Sequence, residues 1–271
     1  MALGASILLA CLPAVGGAEP EETPLPIVTL DALPLGIPLG SLGYEGRSRA
    51  EAVLAGSLLA QRVTGIRFRS REAVFRFLLD HPEFAAGVAR ALRLGRYRVT
   101  PEDDGYWGDD GRGARGTIRV IYADDGRRLY HLAGRYDPPA LPAIEGQLLA
   151  LFEFRHEEDA HGASVVDGSL TGHLRIDTPV VGAIAQALSA LTRPLVERAV
   201  ERKVRRFFNT VARVSRWAYD EPEQLAAMLD GHPELPQDPT LVAFRGILLA
   251  DRPPAWARLP FYLLPPATAD P

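Results

Sequence analysis

Residues 168–220 read GSLTGHLRIDTPVVGAIAQALSALTRPLVERAVERKVRRFFNTVARVSRWAYD. The first part has a period of two. Gly168, Leu170, Gly172, Leu174 and Ile176, with Val166 ahead of them, share one face, while Asp167, Ser169, Thr171, His173 and Arg175 share the other. That alternation predicts a strand of an antiparallel sheet, dry on one side and wet on the other. From Pro179 the period changes. Val181, Ile184, Leu188, Leu191 and Leu195, then Val200, Val204, Phe207 or Phe208, Val211 and Val214, recur three or four apart, which predicts a long amphipathic helix ending near Asp220. Asp177 or Thr178 suits the N-cap and Pro179 the first turn, whereas Pro194 predicts a kink, because proline removes one helical bond and clashes with the preceding turn. A one-sided strand followed by a one-sided helix requires each to cover the other.

The upstream chain supplies the rest of such a sheet. Gln61 to Ser70 alternates as a strand, and Ser70 is a plausible N-cap for a helix with Val74, Phe75, Leu78 and Leu79 on one stripe. His81-Pro82 ends that helix and starts another, with Gly95 as its expected C-cap. Strands are then predicted from Tyr97, at 115–124, 127–136, 147–159 and 163–177, with a hairpin turn at Asp125-Gly126. The Gly/Asp-rich stretch around Tyr106 and Trp107 reads as a long loop. The expected fold class is α+β, a curved antiparallel sheet wrapped around a long C-terminal helix.

This order resembles the helix-grip fold of the START-like, or SRPBCC, superfamily, which includes lipid-transfer and polyketide cyclase-like proteins. The resemblance is carried by the strand at Gln61 to Arg69, the helices of Arg71 to Leu94, the strands between Tyr97 and Ile176, and the terminal helix. It covers residues 59–219 and leaves out an N-terminal segment (19–58) and a tail (220–271). It implies a deep cavity between sheet and helix that takes apolar molecules such as lipids, sterols, isoprenoids or polyketides.

Composition narrows the function. A net charge of −4 over 271 residues excludes the strongly basic footprint of a nucleic-acid-binding domain. The first eighteen residues have the outline of a secretory signal cleaved after Ala18, so an exported, periplasmic protein is expected. An alternative is that Leu8-Leu9-Ala10-Cys11 is a lipobox and Cys11 a lipid-modified N-terminus. Cys11 is the only cysteine, so no internal disulfide can form.

The expected ligand wall comprises Ile66 and Phe68 from the first strand, and Val120, Tyr122 and Leu132 from the central hairpin. Phe152, Phe154, Leu170 and Leu174 come from the last two strands, and Ile184, Leu188 and Leu191 from the helix. Trp107 is expected to fold over the mouth. No cofactor or metal is expected: His156, Glu157, Glu158, Asp159 and His161 read as a solvated hairpin tip rather than a divalent-ion site. The leading expectation is binding of a lipid or isoprenoid-like molecule, with transport as an extension of that role. One alternative is a cyclase- or hydrolase-like enzyme drawing on His81, His131, His173, Glu153 or Asp167 in the same cavity. Another is docking on a membrane or protein through the basic residues Arg198, Arg202, Lys203, Arg205 and Arg206.

Overall fold

The computed structural model describes residues 27–29, 34–137, 143–159, 162–178, 193–235 and 238–250. Among these, eight strands form one antiparallel sheet: β1 (Ile27–Thr29), β2 (Leu59–Arg69), β3 (Arg98–Glu102), β4 (Gly105–Asp109), β5 (Ala114–Ala123), β6 (Arg127–Tyr136), β7 (Ile144–Glu158) and β8 (Ser164–Ile176). Their spatial order is β1-β2-β8-β7-β6-β5-β4-β3. From β3 to β8 the chain meanders, each strand pairing with the next, and β8 then returns to pair with β2. Helices α2 (Glu72–Asp80) and α3 (Pro82–Ala91) carry the chain from β2 to the far edge. A long helix, α4 (Arg193–Asp220), lies across the concave face, with Val200, Val204, Phe207 and Phe208 in one core with Val63, Phe68, Phe152 and Leu170. This is the helix-grip arrangement, with β1 added at one edge. The stretch 179–192, including Ile184, Leu188 and Leu191, lies outside the described residues, as does the turn preceding Pro194.

The sheet bends where side chains are missing. Gly108, Gly116, Gly134 and Gly146 stand opposite one another across β4, β5, β6 and β7. A Cβ on Gly116 would lie 2.3 Å from the Ala133 carbonyl oxygen, and one on Gly134 2.3 Å from that of Arg115. Only glycine permits backbones to approach so closely.

Three expectations change. The Gly/Asp-rich loop is in fact the β3–β4 hairpin, with Pro101 opposite Tyr106 and Thr100 opposite Trp107. Ser70 caps nothing on α2; Arg71 occupies the cap position, and its guanidinium donates to the carbonyl oxygens of Leu248 (2.6 Å) and Ala250 (2.7 Å). The C-cap of α3 is not Gly95. Arg93 takes the left-handed conformation (φ 56°), with bonds from Arg93 N–H to Arg90 O and from Leu94 N–H to Ala89 O, the Schellman pattern.

The convex face is also covered. Helix α1 (Tyr44–Ala55) and residues 35–42 bury Leu129, Leu149 and Leu151 beneath Leu35, Ile37, Leu42, Ala50 and Val53. Strand β7 is therefore dry on both sides from Leu148 to Phe152, consistent with its unbroken apolar run LLALF. After α4, helices α5 (Pro222–Leu229) and α6 (Pro239–Leu249) pack Leu225, Leu229, Phe244 and Leu248 against Val74, Phe84 and Val88 of α2 and α3, forming a second core.

Gly134→Ala should destabilise the fold by about 2 kcal/mol through forced backbone displacement. Gly40→Ala, with nothing within 4 Å of the added carbon, should change stability by less than about 0.5 kcal/mol. Urea denaturation of the two variants measures the difference; equal stabilities would sink the bend assignment.

Candidate functional site

The space between the concave face and the helices is largely filled by rings. Phe75 of α2 meets Phe154 edge-on at 5.2 Å; Phe152 stacks on Phe154 at 5.3 Å and packs against Phe208 of α4 at 5.4 Å. Three apolar spaces remain. One of about 60 Å³ lies under Phe75, Ala86, Ala89, Tyr97, Phe152 and Phe208. A second, of about 170 Å³, opens where α2 meets α3, between Leu79, Pro82, Tyr106, Val120 and Tyr130. The third, about 20 Å³, lies under Val200 and Val204 against Leu148, Leu170 and Leu174. The first two share Leu79 as a common wall. An apolar cavity of roughly 150 Å³ suffices for a benzene-sized guest.

The structure sorts the expected wall residues. Ile66, Phe68, Leu132, Phe152, Phe154, Leu170 and Leu174 all belong to the concave core. Phe152 touches the first space, and Leu170 and Leu174 the smallest. Val120 sits half-exposed on the rim of the opening. Two placements are corrected. Tyr122 packs on the convex side, because a bulge between Val120 and Tyr122 shifts the β5–β6 register and brings Tyr122 opposite Leu129. Trp107 lies opposite Thr117 on the convex face, so it cannot cover the mouth; its neighbour Tyr106 faces the opening instead. The α3 alanines and Tyr97 were not anticipated. The signal for Tyr106 was strand alternation within a stretch whose glycines and aspartates suggested a loop.

The acid–base candidates do not gather in the cavity. Glu153 and Ser169 are held on the convex side by Arg62, at 3.0 and 3.1 Å, and Asp167 by Arg155 at 2.7 Å. His131 and His173 each stand opposite Leu149 on that same face, where His131 Nε2 meets Gln147 Oε1 at 3.1 Å. His81 lies between α2 and α3 against the Phe77 ring, 4.4 Å away. At the β7–β8 tip, Glu157 pairs with Arg155, and the His156 ring packs on Phe75; His161 lies outside the described residues.

The basic run of α4 is not one continuous face. Arg202 and Arg206 are exposed and Arg205 is half-buried, while Arg198's side chain lies outside the described residues. Lys203 points inward. It is 7% exposed, its ammonium lying 3.5 Å from Asp110 Oδ2 and 4.5 Å from the Tyr136 ring centre. Burial lowers its pKa, and Asp110 partly offsets that. Its spacing from Val200 (i+3) and to Phe207 (i+4) was the available sign of burial.

Burial also lowers the pKa of His131 and His173. The unfolded chain takes up these protons near pH 6.5, while the folded chain resists protonation until lower pH. Stability should therefore be complete above that value and fall as pH drops below it, by up to about 1.4 kcal/mol per pH unit for each histidine. Urea denaturation at successive pH values should show this decline, and His173→Gln should flatten it. A profile unchanged by the substitution would exclude His173 as a source.

No protein-family model matches the chain, and no curated protein matches it. Among solved structures it is similar to Ara h 8.0201, at 14% identity over 54% of this chain and 95% of that one, with a TM-score of 0.19. A likeness that low carries no argument; strand order and helix packing carry the fold.

Proposed function

We propose that the protein binds a hydrophobic small molecule between the concave face and helices α2, α3 and α4, as a member of the START-like superfamily. The supporting observation is the pair of adjoining spaces that share Leu79, one bounded by Phe75, Phe152 and Phe208 and the other by Pro82, Tyr106 and Tyr130. A molecule entering between Pro82 and Tyr106 would pass the Asp80–Arg128 pair, 3.3 Å apart, and beyond it would displace or rotate rings, since the space under Phe75 and Phe208 is almost wholly aliphatic and aromatic. Affinity would come from removing apolar surface from water, at about 25 cal/mol per Å². A lipid or isoprenoid chain is the class of guest this lining suits. Among the described residues, the geometry brings no histidine and carboxylate together in this space, because His131, His173, Glu153 and Asp167 face the convex side and His81 packs on Phe77 between α2 and α3.

Native mass spectrometry of protein purified without detergent, followed by organic extraction, should reveal an apolar adduct. Ala89→Leu, which places an isobutyl group in the space under Phe75 and Phe208, should weaken uptake of a fluorescent fatty-acyl probe by at least about tenfold while the chain still folds. Unaltered uptake by a folded variant, or no uptake by the parent protein, would overturn the reading.

A further inference from the structure

Beside the apolar space under Phe75 and Phe208, and separated from it by Tyr97, lies a polar basin of about 400 Å³. Three elements converge on it: the C-terminal end of α3 with the loop after it, the β4–β5 turn, and the middle of α4. They contribute Arg90, Arg93, Arg96, Arg112, Lys203 and Arg206, against a single acid, Asp110. Arg90 is occupied, donating to Glu234 at 2.7 Å and to the Tyr97 carbonyl. Lys203 faces Asp110 from below. The other four arginines have no ion pair among the described residues. By contrast, Arg62, Arg115, Arg127, Arg155 and Arg175 on the sheet each lie within 3.0 Å of a carboxylate.

The basin is built into the fold. Asp110 is 2% exposed; its Oδ1 accepts the N–H groups of Arg112 (2.7 Å) and Ala114 (3.0 Å), fixing the turn that presents Arg112. Lys203, 7% exposed, forms the floor against Tyr136. Left-handed Arg93 is held in the Schellman turn. Guanidiniums keep their protons at any physiological pH, so four of them around one concavity repel one another and strongly favour an anion. Their paired donors match the oxygens of a phosphoryl group, and a multiply charged oxyanion fits this excess of positive charge better than a single carboxylate.

We propose that this basin holds the phosphate or diphosphate head of an amphiphile whose apolar part lies beyond Tyr97, in the apolar space under Phe75 and Phe208 enlarged by movement of those rings, an assignment that rests on the ligand-binding reading above. Tyr97 stands at the junction: its ring packs on Phe207 at 5.8 Å and it lines both spaces. The guest is thereby defined at both ends, by hydrocarbon on one side and a polyanion on the other.

Calorimetry with three probes tests this: inorganic pyrophosphate, dodecyl phosphate and dodecanol. Pyrophosphate should bind, and Arg112→Gln/Arg206→Gln should weaken it at least about tenfold. Dodecyl phosphate should bind more tightly than either of the other probes. In Ala89→Leu the advantage conferred by the chain should vanish while pyrophosphate still binds. Absence of pyrophosphate binding, or equal binding by the double variant, overturns the anion site. Pyrophosphate binding with no gain from the dodecyl chain overturns the amphiphile; dodecanol binding in that case leaves the cavity reading standing, and its absence overturns that reading too. Sedimentation with phosphatidic acid vesicles, competed by pyrophosphate, would identify the source of the phosphate as a membrane lipid; no sedimentation would identify it as a soluble phosphate amphiphile. Sedimentation that pyrophosphate does not displace would count against the basin as the phosphate site.

Discussion

The close approach of backbones at Gly116 and Gly134 is the constraint from which the rest follows. A flat sheet could not partly enclose a helix, and any side chain at these positions would strike the carbonyl of the neighbouring strand. Beyond that line of glycines, the β4–β5 turn places Asp110 3.5 Å from Lys203 of α4. Removing that contact would leave an ammonium buried without a partner, a far larger cost than the loss of a surface pair. The buried ion pair and the polar basin are thus built from the same two residues.

What the bend encloses is more solid than a simple container. Phe75, Phe152, Phe154, Phe207 and Phe208 occupy most of the volume between sheet and helix, leaving separate spaces. Ring–ring contacts of this kind are numerous but individually weak. Such a filling can rearrange without leaving a buried polar group unsatisfied. The polar network sits on the opposite face, where Gln147 joins His131 to Asp177 and Arg62 joins Glu153 to Ser169.

Much of the fold was legible because its signals were periodic. The alternation of residues 166–176, the stripe on α2 and the switch of period after Asp177 placed β8, α2 and the described part of the closing helix. Where reading failed, pairing had overridden local chemistry. Trp107 stands in a segment whose glycines and aspartates favour turns, yet cross-strand bonding made it a strand and sent its side chain outward. Tyr122 was misplaced because a bulge one residue earlier reversed the alternation, and no periodic pattern announces a bulge. Ser70 has the right side chain for a cap, but the residue after it was claimed by distant carbonyls. The filled volume was beyond reach for another reason: hydrophobic spacing shows which face is buried but not how much space remains between opposing side chains.

The contacts of Arg71 have a mechanical consequence. By gripping the end of α6 from the start of α2, this residue couples the cavity wall to the helices behind it, and the second core backs that wall along its length. Helices α2 and α3 are then a stiff slab, two layers thick, rather than a flap. The β3–β4 hairpin is the opposite case: at the margin of the sheet, it is laddered only to β5. An incoming molecule therefore meets a braced helical wall on one side and, on the side carrying Tyr106, a hairpin bonded to the sheet through a single strand.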